Sequence, residues 1–414
     1  MNANFSIEAP GIKSRNRIYY DAAISFFLTL IILYFRKPYA FTNARLCSED
    51  GPVFFGQAIT FGWQSIAIPY AGYYHTVPRL VAILFEAIVP PEHMGISYNM
   101  AAGIIAAAVA VAISFSRFNV GAKWLFSVLP LLMPHGGEVF LILTNVQWII
   151  APYFMLLCIQ DRDPKREIRL IQPIVVFIIA TTGPFSIFLL PFFFMRAIIY
   201  RDSKNEMVLF AVVVIAASLQ FHSLLTHNFA SVGKFVDWPL VPVWGFWGVI
   251  APLFGYPTVP RMDIQILVFL LAFPLVICFV QLKAKWRIRL YAMALFSVCI
   301  LFAGLMRVGG HQIQLVSAFL WGGERYFFIP YAMVGWALFI LAAKASRYWR
   351  LAGAIALPVI IAANSGRFTA QFLSDRECYN ASIVGQLPTS PDQTAHGDSW
   401  ITLALADRSS ASPL

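Results

Sequence analysis

Charged residues are scarce in this chain. Only 12% of its 414 residues are Asp, Glu, Lys or Arg, whereas 59% are hydrophobic and 37 are Phe. Soluble domains carry about 25% charged residues. A chain this apolar cannot cover a globule with polar surface, so its solvent must be largely lipid. Other absences narrow the function. The sequence has no Walker A motif, no GxGxxG and no HExxH, which removes support for a nucleotide-driven pump or a membrane zinc protease. Its five cysteines, Cys47, Cys158, Cys278, Cys299 and Cys378, form no CxxC pair, so structural zinc is not expected. No internal repeat is visible, and the repeat symmetry of many transporters gets no support. No cleavable signal is visible either: the N-terminus is polar through Arg17, and no small-residue cleavage site follows the first apolar run.

What is present is a series of apolar runs, at about 18–35, 95–115, 122–134, 138–159, 170–182, 184–200, 207–221, 263–281, 288–305, 326–342 and 350–363. A shorter run, 78–90, lies between Pro78 and Pro90-Pro91. The net charge of +10 is not a nucleic-acid signature. Its Lys and Arg recur in short clusters between the runs, around Lys13–Arg17, Arg117–Lys123, Arg162–Arg169, Arg196–Lys204, Lys283–Arg289 and Lys344–Arg350. By the positive-inside rule these loops and the N-terminus are cytoplasmic. Loop 36–77 is then outside, and only one crossing fits before the basic loop at Arg117. The run 78–90 is therefore expected to be re-entrant or interfacial.

The resulting expectation is an all-α polytopic membrane protein with about 11 transmembrane helices. Residues 1–363 form the membrane domain, with a large outer first loop at 36–94, and residues 364–414 form a polar outer tail. All seven His and most acidic residues not beside basic clusters fall at the outer face. Cys47 and Cys378 fall on that same side; a disulfide between them is open, with unpaired thiols as the default.

Four constellations could carry chemistry. The first is Ser48-Glu49-Asp50-Gly51-Pro52, two adjacent carboxylates in the first outer loop; a carboxylate there can act as a general base toward a hydroxyl, or be a solvated loop pair. The second is Gly322-Gly323-Glu324-Arg325-Tyr326, where Arg325 can fork onto a phosphate or simply anchor the interface. The third is Tyr73-Tyr74-His75-Thr76-Val77-Pro78-Arg79, whose Arg79 opens the non-crossing helix and could pair with Asp50, bind phosphate or snorkel. The fourth is His135-Gly136-Gly137-Glu138 followed by Asn145, Gln147 and Trp148; polar groups at membrane depth usually face a cavity, or join helices. Weaker signals are Asp161-Arg162-Asp163, which has DxD spacing in a short basic loop, and His222 with His227, whose spacing of five does not share a helical face. His311 near Arg307 is either a site residue or an interfacial one.

This pattern resembles the GT-C superfamily of membrane glycosyltransferases, which use polyprenyl-phosphate-linked sugars. Glu49-Asp50 is similar to the family's acidic first-loop motif. The interrupted helix after that loop looks like the family, as does the polar helix start at Gly137-Glu138 with Asn145. The string Gly323-Glu324-Arg325-Tyr326-Phe327-Phe328-Ile329-Pro330 is similar to the RY-type segment of bacterial members. The motif here is Glu-Asp rather than Asp-Asp or Asp-x-Asp, and no large outer C-terminal domain follows. The resemblance implies an inverting transferase at the outer face of a bacterial inner membrane, moving a sugar from a polyprenyl-phosphate donor to a glycan or lipid acceptor. Asp50 or Glu49 would be the base. Arg325 and Arg79 would hold the donor phosphate, with Glu324, Tyr326, His75, Tyr74, Glu138, Asn145 and His311 lining the site. No cofactor or resident metal is implied, although a divalent cation assists some members. A multi-span transporter or a lipid or polysaccharide flippase is the main rival. It should carry charge near the membrane midplane, whereas the runs 95–115, 207–221 and 263–281 are nearly uncharged after their first residues. An O-antigen-type ligase would use a late, large outer loop, and a purely structural subunit leaves the acidic pair unexplained.

Overall fold

The computed structural model describes residues 12–135, 137–162, 171–227, 253, 282–308, 325–364 and 378–379. The apolar run 263–281, the Trp-rich segment around Trp238–Trp247, His311, Glu324 and nearly all of the C-terminal tail lie outside the described residues.

The chain opens with α1 (Ile12–Arg36) and a single helical turn, α2 (Tyr39–Thr42). The two-residue strand β1 (Leu46–Cys47) leads into α3 (Gly56–Phe61) through a 3-10 turn at Ser48–Asp50 and a π turn at Gly51–Phe55. Next come α4 (Thr76–Ile88), α5 (Met94–Phe115), α6 (Lys123–Leu132) and α7 (Val146–Ile159). The helices α8 (Ile171–Ala180), α9 (Phe185–Ile199) and α10 (Lys204–Thr226) follow. Then come α11 (Ala284–Val308), α12 (Arg325–Lys344), α13 (Arg347–Ala363) and the strand β2 (Cys378–Tyr379), antiparallel to β1.

The protein is thus almost wholly helical, and five described helices are long and apolar enough to cross a membrane: Asn16–Arg36, Pro91–Phe115, Lys204–Thr226, Ala284–Gly304 and Arg325–Lys344. Their outward faces are apolar. Phe27 is 63% exposed, Leu225 71% and Ile288 67%. Water would penalise such surfaces at roughly 25 cal/mol per Å²; lipid does not. The helix α4 has 13 residues, about 20 Å at 1.5 Å per residue, short of the ~30 Å hydrocarbon core. Pro90 and Pro91 stop it.

One expectation fails. The run 138–159 was expected to be a single helix, but α7 begins only at Val146, and residues 137–145 are turns and a 3-10 segment. Leu141 there has a φ of +55°, a conformation that interrupts a right-handed helix. Apolar composition alone could not show this break.

The chain divides into two compact units. Unit 1 comprises 1–43, 99–166 and 235–373. In it α12 packs against α6, α7, α11 and α13. Trp336 of α12 is fully buried, stacks on Phe126 at 4.6 Å and donates its indole N–H to the Phe126 carbonyl at 2.8 Å. At one end Asp161 accepts from Arg289 and pairs with Lys285, both at 2.5 Å, so this half of the DxD string serves as a structural tie.

Unit 2 comprises 44–98, 167–234 and 374–414. In it α10 packs against α8 and α9, and α4 against α3 and α8. The turn between α9 and α10 is held by a two-point ion pair: Arg196 donates Nε and Nη2 to the two Glu206 oxygens, each at 2.7 Å, and both side chains are buried. Removing one partner strands a buried charge, so Glu206→Ala is expected to destabilise by about 3–5 kcal/mol. The double variant Arg196→Met/Glu206→Met should recover most of that loss. Thermal unfolding in detergent reads both, and a double variant no more stable than the single one would contradict the assignment.

Candidate functional site

The acidic pair lies in unit 2. Pro52 starts the π turn with a preset φ, and the 3-10 turn before it separates the fates of the two carboxylates. Asp50 is 1% exposed. Glu49 is half-buried, and its Oε1 accepts from the Tyr70 hydroxyl at 3.0 Å. Tyr70 is set by a tight turn in which the backbones of Tyr70 and Tyr73 exchange both hydrogen bonds, at 3.0 and 3.2 Å. Its central residues Ala71 and Gly72 have φ of +55° and +84°. Two positive φ values define a primed hairpin turn, and Ala71 has a Cβ to strain there, as residues near functional sites often do.

His75 follows that turn and is fully buried in an aromatic box: Tyr73 at 4.7 Å, Phe54 at 5.4 Å and Tyr70 at 5.9 Å between ring centroids. The strip Tyr74–Val77 is fixed against the break between α8 and α9. Gly183 donates its N–H to the Tyr74 carbonyl at 2.9 Å, the Val77 N–H donates to the Thr182 hydroxyl at 3.1 Å, and the Thr76 hydroxyl donates to that of Thr181 at 2.8 Å. Gln220 of α10 completes the joint. Its Oε1 accepts from the Tyr74 N–H at 2.8 Å, and its Nε2 donates to the carbonyls of Tyr74 and Gly183. Sequence reasoning missed Gln220; the available signal was a lone amide inside the apolar run 207–221.

Arg79 lies one turn into α4. It is 1% exposed, and Nε, Nη1 and Nη2 are all buried without a hydrogen-bond partner. Its guanidinium lies 5.2 Å from the Phe54 ring centroid, a contact worth about 2 kcal/mol when desolvated. Burial pushes its pKa down from the ordinary arginine value to about 10. The group stays charged at neutral pH, yet a depression of that size corresponds to about 3 kcal/mol. Snorkelling is excluded, because the head group is not in water. An anionic group is the ligand such a side chain can take.

The second set of predicted residues meets in unit 1. Glu138 caps the start of α12: its carboxylate accepts the Arg325 backbone N–H at 2.7 Å and lies 3.1 Å from the Arg325 guanidinium. Asn145 donates to the Glu138 carbonyl at 2.8 Å, and Tyr326 meets Trp148 edge to face at 5.4 Å. The irregular strand of chain 133–145 is clamped by two cations that sequence reasoning passed over. Arg36 donates to the carbonyls of Leu131, Met133 and His135, and Lys37 donates to that of Phe140 at 3.0 Å. Arg325, expected as a phosphate fork, is therefore held by Glu138, and that pair is neutral overall.

Among the described residues no three His, Cys, Asp or Glu side chains converge as metal ligands. No protein-family model, curated protein or solved structure matches the chain.

The buried charge of Arg79 has a measurable sign. Its folded pKa is depressed, so the unfolded chain binds the proton more tightly. The penalty is fully present below about pH 10 and is relieved as pH rises through about 10 toward the ordinary arginine range. Arg79→Met should accordingly unfold at a higher temperature than wild type at pH 7 in ligand-free detergent solution. A lower unfolding temperature would mean that the charge is already neutralised. A double-mutant cycle on Glu138→Gln and Arg325→Gln should give a coupling of about 1–3 kcal/mol; independent effects would show that the pair does not stabilise α12.

Proposed function

We propose that the chain is an integral-membrane glycosyltransferase taking its sugar from a polyprenyl-phosphate donor. The observation that carries this is the pairing, within unit 2, of a buried carboxylate, Asp50, with a buried arginine whose three nitrogens have no partner. The helix bearing Arg79 packs on the π turn that follows Asp50, and Phe54 of that turn lies under the guanidinium. The two charges suit the two ends of a sugar transfer. Asp50 accepts the proton of the acceptor hydroxyl, and the hydroxyl oxygen attacks the anomeric carbon. The bond to the phosphate oxygen breaks, and Arg79 neutralises the departing anion in a site shielded from water. One base and no covalent sugar intermediate invert the anomeric centre. Of the acidic pair, Asp50 is taken as the base because it is the more deeply buried, at 1% exposed, and so the better shielded from water.

The resemblance to the GT-C superfamily supports the same reading and supplies its frame: about 11 crossings, a cytoplasmic N-terminus, an inner-membrane location and chemistry at the outer face. The strip Tyr74–Val77 and the break Thr181–Gly183, which hydrogen-bond to each other, are both placed outside by the distribution of Lys and Arg.

Sugar transfer in membranes tests the proposal, with a labelled polyprenyl-phosphate sugar pool and variants matched for insertion. Asp50→Asn should lower kcat by about 10²–10⁴-fold, and Arg79→Met by about 10²–10³-fold, with Glu49→Gln much closer to wild type. Equal consumption by wild type and Asp50→Asn removes Asp50 as the base. No consumption of any lipid-linked sugar by wild type would turn the reading toward an anion-carrying transporter.

A further inference from the structure

We propose that Cys47 and Cys378 form a disulfide that straps the C-terminal segment onto the loop carrying Glu49 and Asp50, and that this strap seats the acidic pair. Cys47 is disulfide-bonded, whereas Cys158 and Cys299 are free thiols. Of the five cysteines, Cys278 and Cys378 are left as partners. The strand register selects between them. In the β1–β2 ladder Cys47 lies directly across from Cys378, and Leu46 across from Tyr379. Facing residues of an antiparallel pair have Cα atoms about 4.5–5.5 Å apart, within the separation a disulfide bridges.

The ladder is two residues long on each side. So short a pair has too few hydrogen bonds to persist alone, and the covalent link is what holds it. β1 runs straight into the 3-10 turn Ser48–Asp50, so Cys47 is three residues from Asp50 and two from the Glu49 that Tyr70 holds. Leu46 is fully buried and fixes the other side of the cysteine.

The link also constrains topology. Both cysteines must reach the same side of the membrane, so an even number of crossings separates them, and that side must be oxidising. The distribution of Lys and Arg places both outside. Closure removes two protons and two electrons from the two thiols. The acceptor is the disulfide of a thiol–disulfide oxidoreductase, which leaves as a dithiol after a mixed-disulfide intermediate. The link does not depend on the proposed activity; its effect on transfer rests on that reading.

The experiment uses full-length protein from membranes quenched with N-ethylmaleimide, digested without reduction and mapped by mass spectrometry. One cross-linked peptide pair joining Cys47 to Cys378 is expected, and dithiothreitol should abolish it. Cys378→Ser should expose Cys47 to maleimide, whereas Cys278→Ser should not. A Cys47–Cys278 peptide, or Cys47 alkylated in unreduced wild type, overturns the link. Unquenched, undigested portions of the same membranes are assayed for sugar transfer. Reduction should slow wild type about tenfold and leave Cys378→Ser, already slow, unchanged. Intact linkage with a rate insensitive to dithiothreitol overturns the seating role. Wild type that is cross-linked but transfers no sugar refutes the glycosyltransferase reading and leaves the link standing.

Discussion

In hydrocarbon no water is available to an unpaired peptide group, and each one left open costs several kcal/mol. That constraint decides where this chain can stop being helical. Two irregular segments among the described residues are held by polar side chains bonded to backbone. Residues 133–145 are tied by Arg36, whose guanidinium serves three carbonyls, and by Lys37. The break at 181–184 is tied to residues 74–77 by Thr182 and by Gln220. Of the predicted site residues, Tyr74, His75, Glu138 and Asn145 lie on these segments. An unbroken helix presents side chains only at its own fixed period, whereas a clamped turn can bring His75, Tyr70 and Glu49 into one neighbourhood.

Among the described residues, the buried and half-buried cations fall into two kinds. Arg196 and Glu206 neutralise each other, Arg289 is matched to Asp161, Arg325 to Glu138, and Arg36 to a set of carbonyl dipoles. These are structural uses of charge, and each group has a reason to be where it is without any ligand. Arg79 differs from all of them, because its guanidinium meets only the face of a phenylalanine. A charge that lowers stability is retained where it does something else, and strain of this sort gathers at functional positions.

The helical membrane character was legible from composition. Parity of the basic loops gave the expectation that 78–90 does not cross, and the helix found there, α4, has 13 residues. The acidic pair was legible as a candidate, but the different surroundings of its two carboxylates were not. Their separation depends on the Tyr70 hydroxyl and on a π turn that has no sequence period. The break inside 138–159 was hidden because its residues are as apolar as the helix they interrupt. The union of Glu138 with Arg325 spans 187 positions, which no local pattern reports. Gln220 was passed over because a single amide in an apolar run is indistinguishable from a helix–helix hydrogen bond until its partners are known.

The start of α4 adds to the field of Arg79 rather than opposing it. Helix N-termini carry about half a positive charge and are commonly met by Asp or Glu in the first turn. The first turn of α4 has no acidic residue; the hydroxyl of Thr182 takes up the Val77 N–H instead. A neutral cap satisfies the donor and leaves the dipole uncompensated. Arg79, one turn further on, is of the same sign. This 13-residue helix thus concentrates positive potential at one end, beside the turn that buries Asp50. Among the described residues no hydrogen-bonding partner takes up the Arg79 guanidinium, and the positive potential gathered there is of the sign that an incoming anion needs.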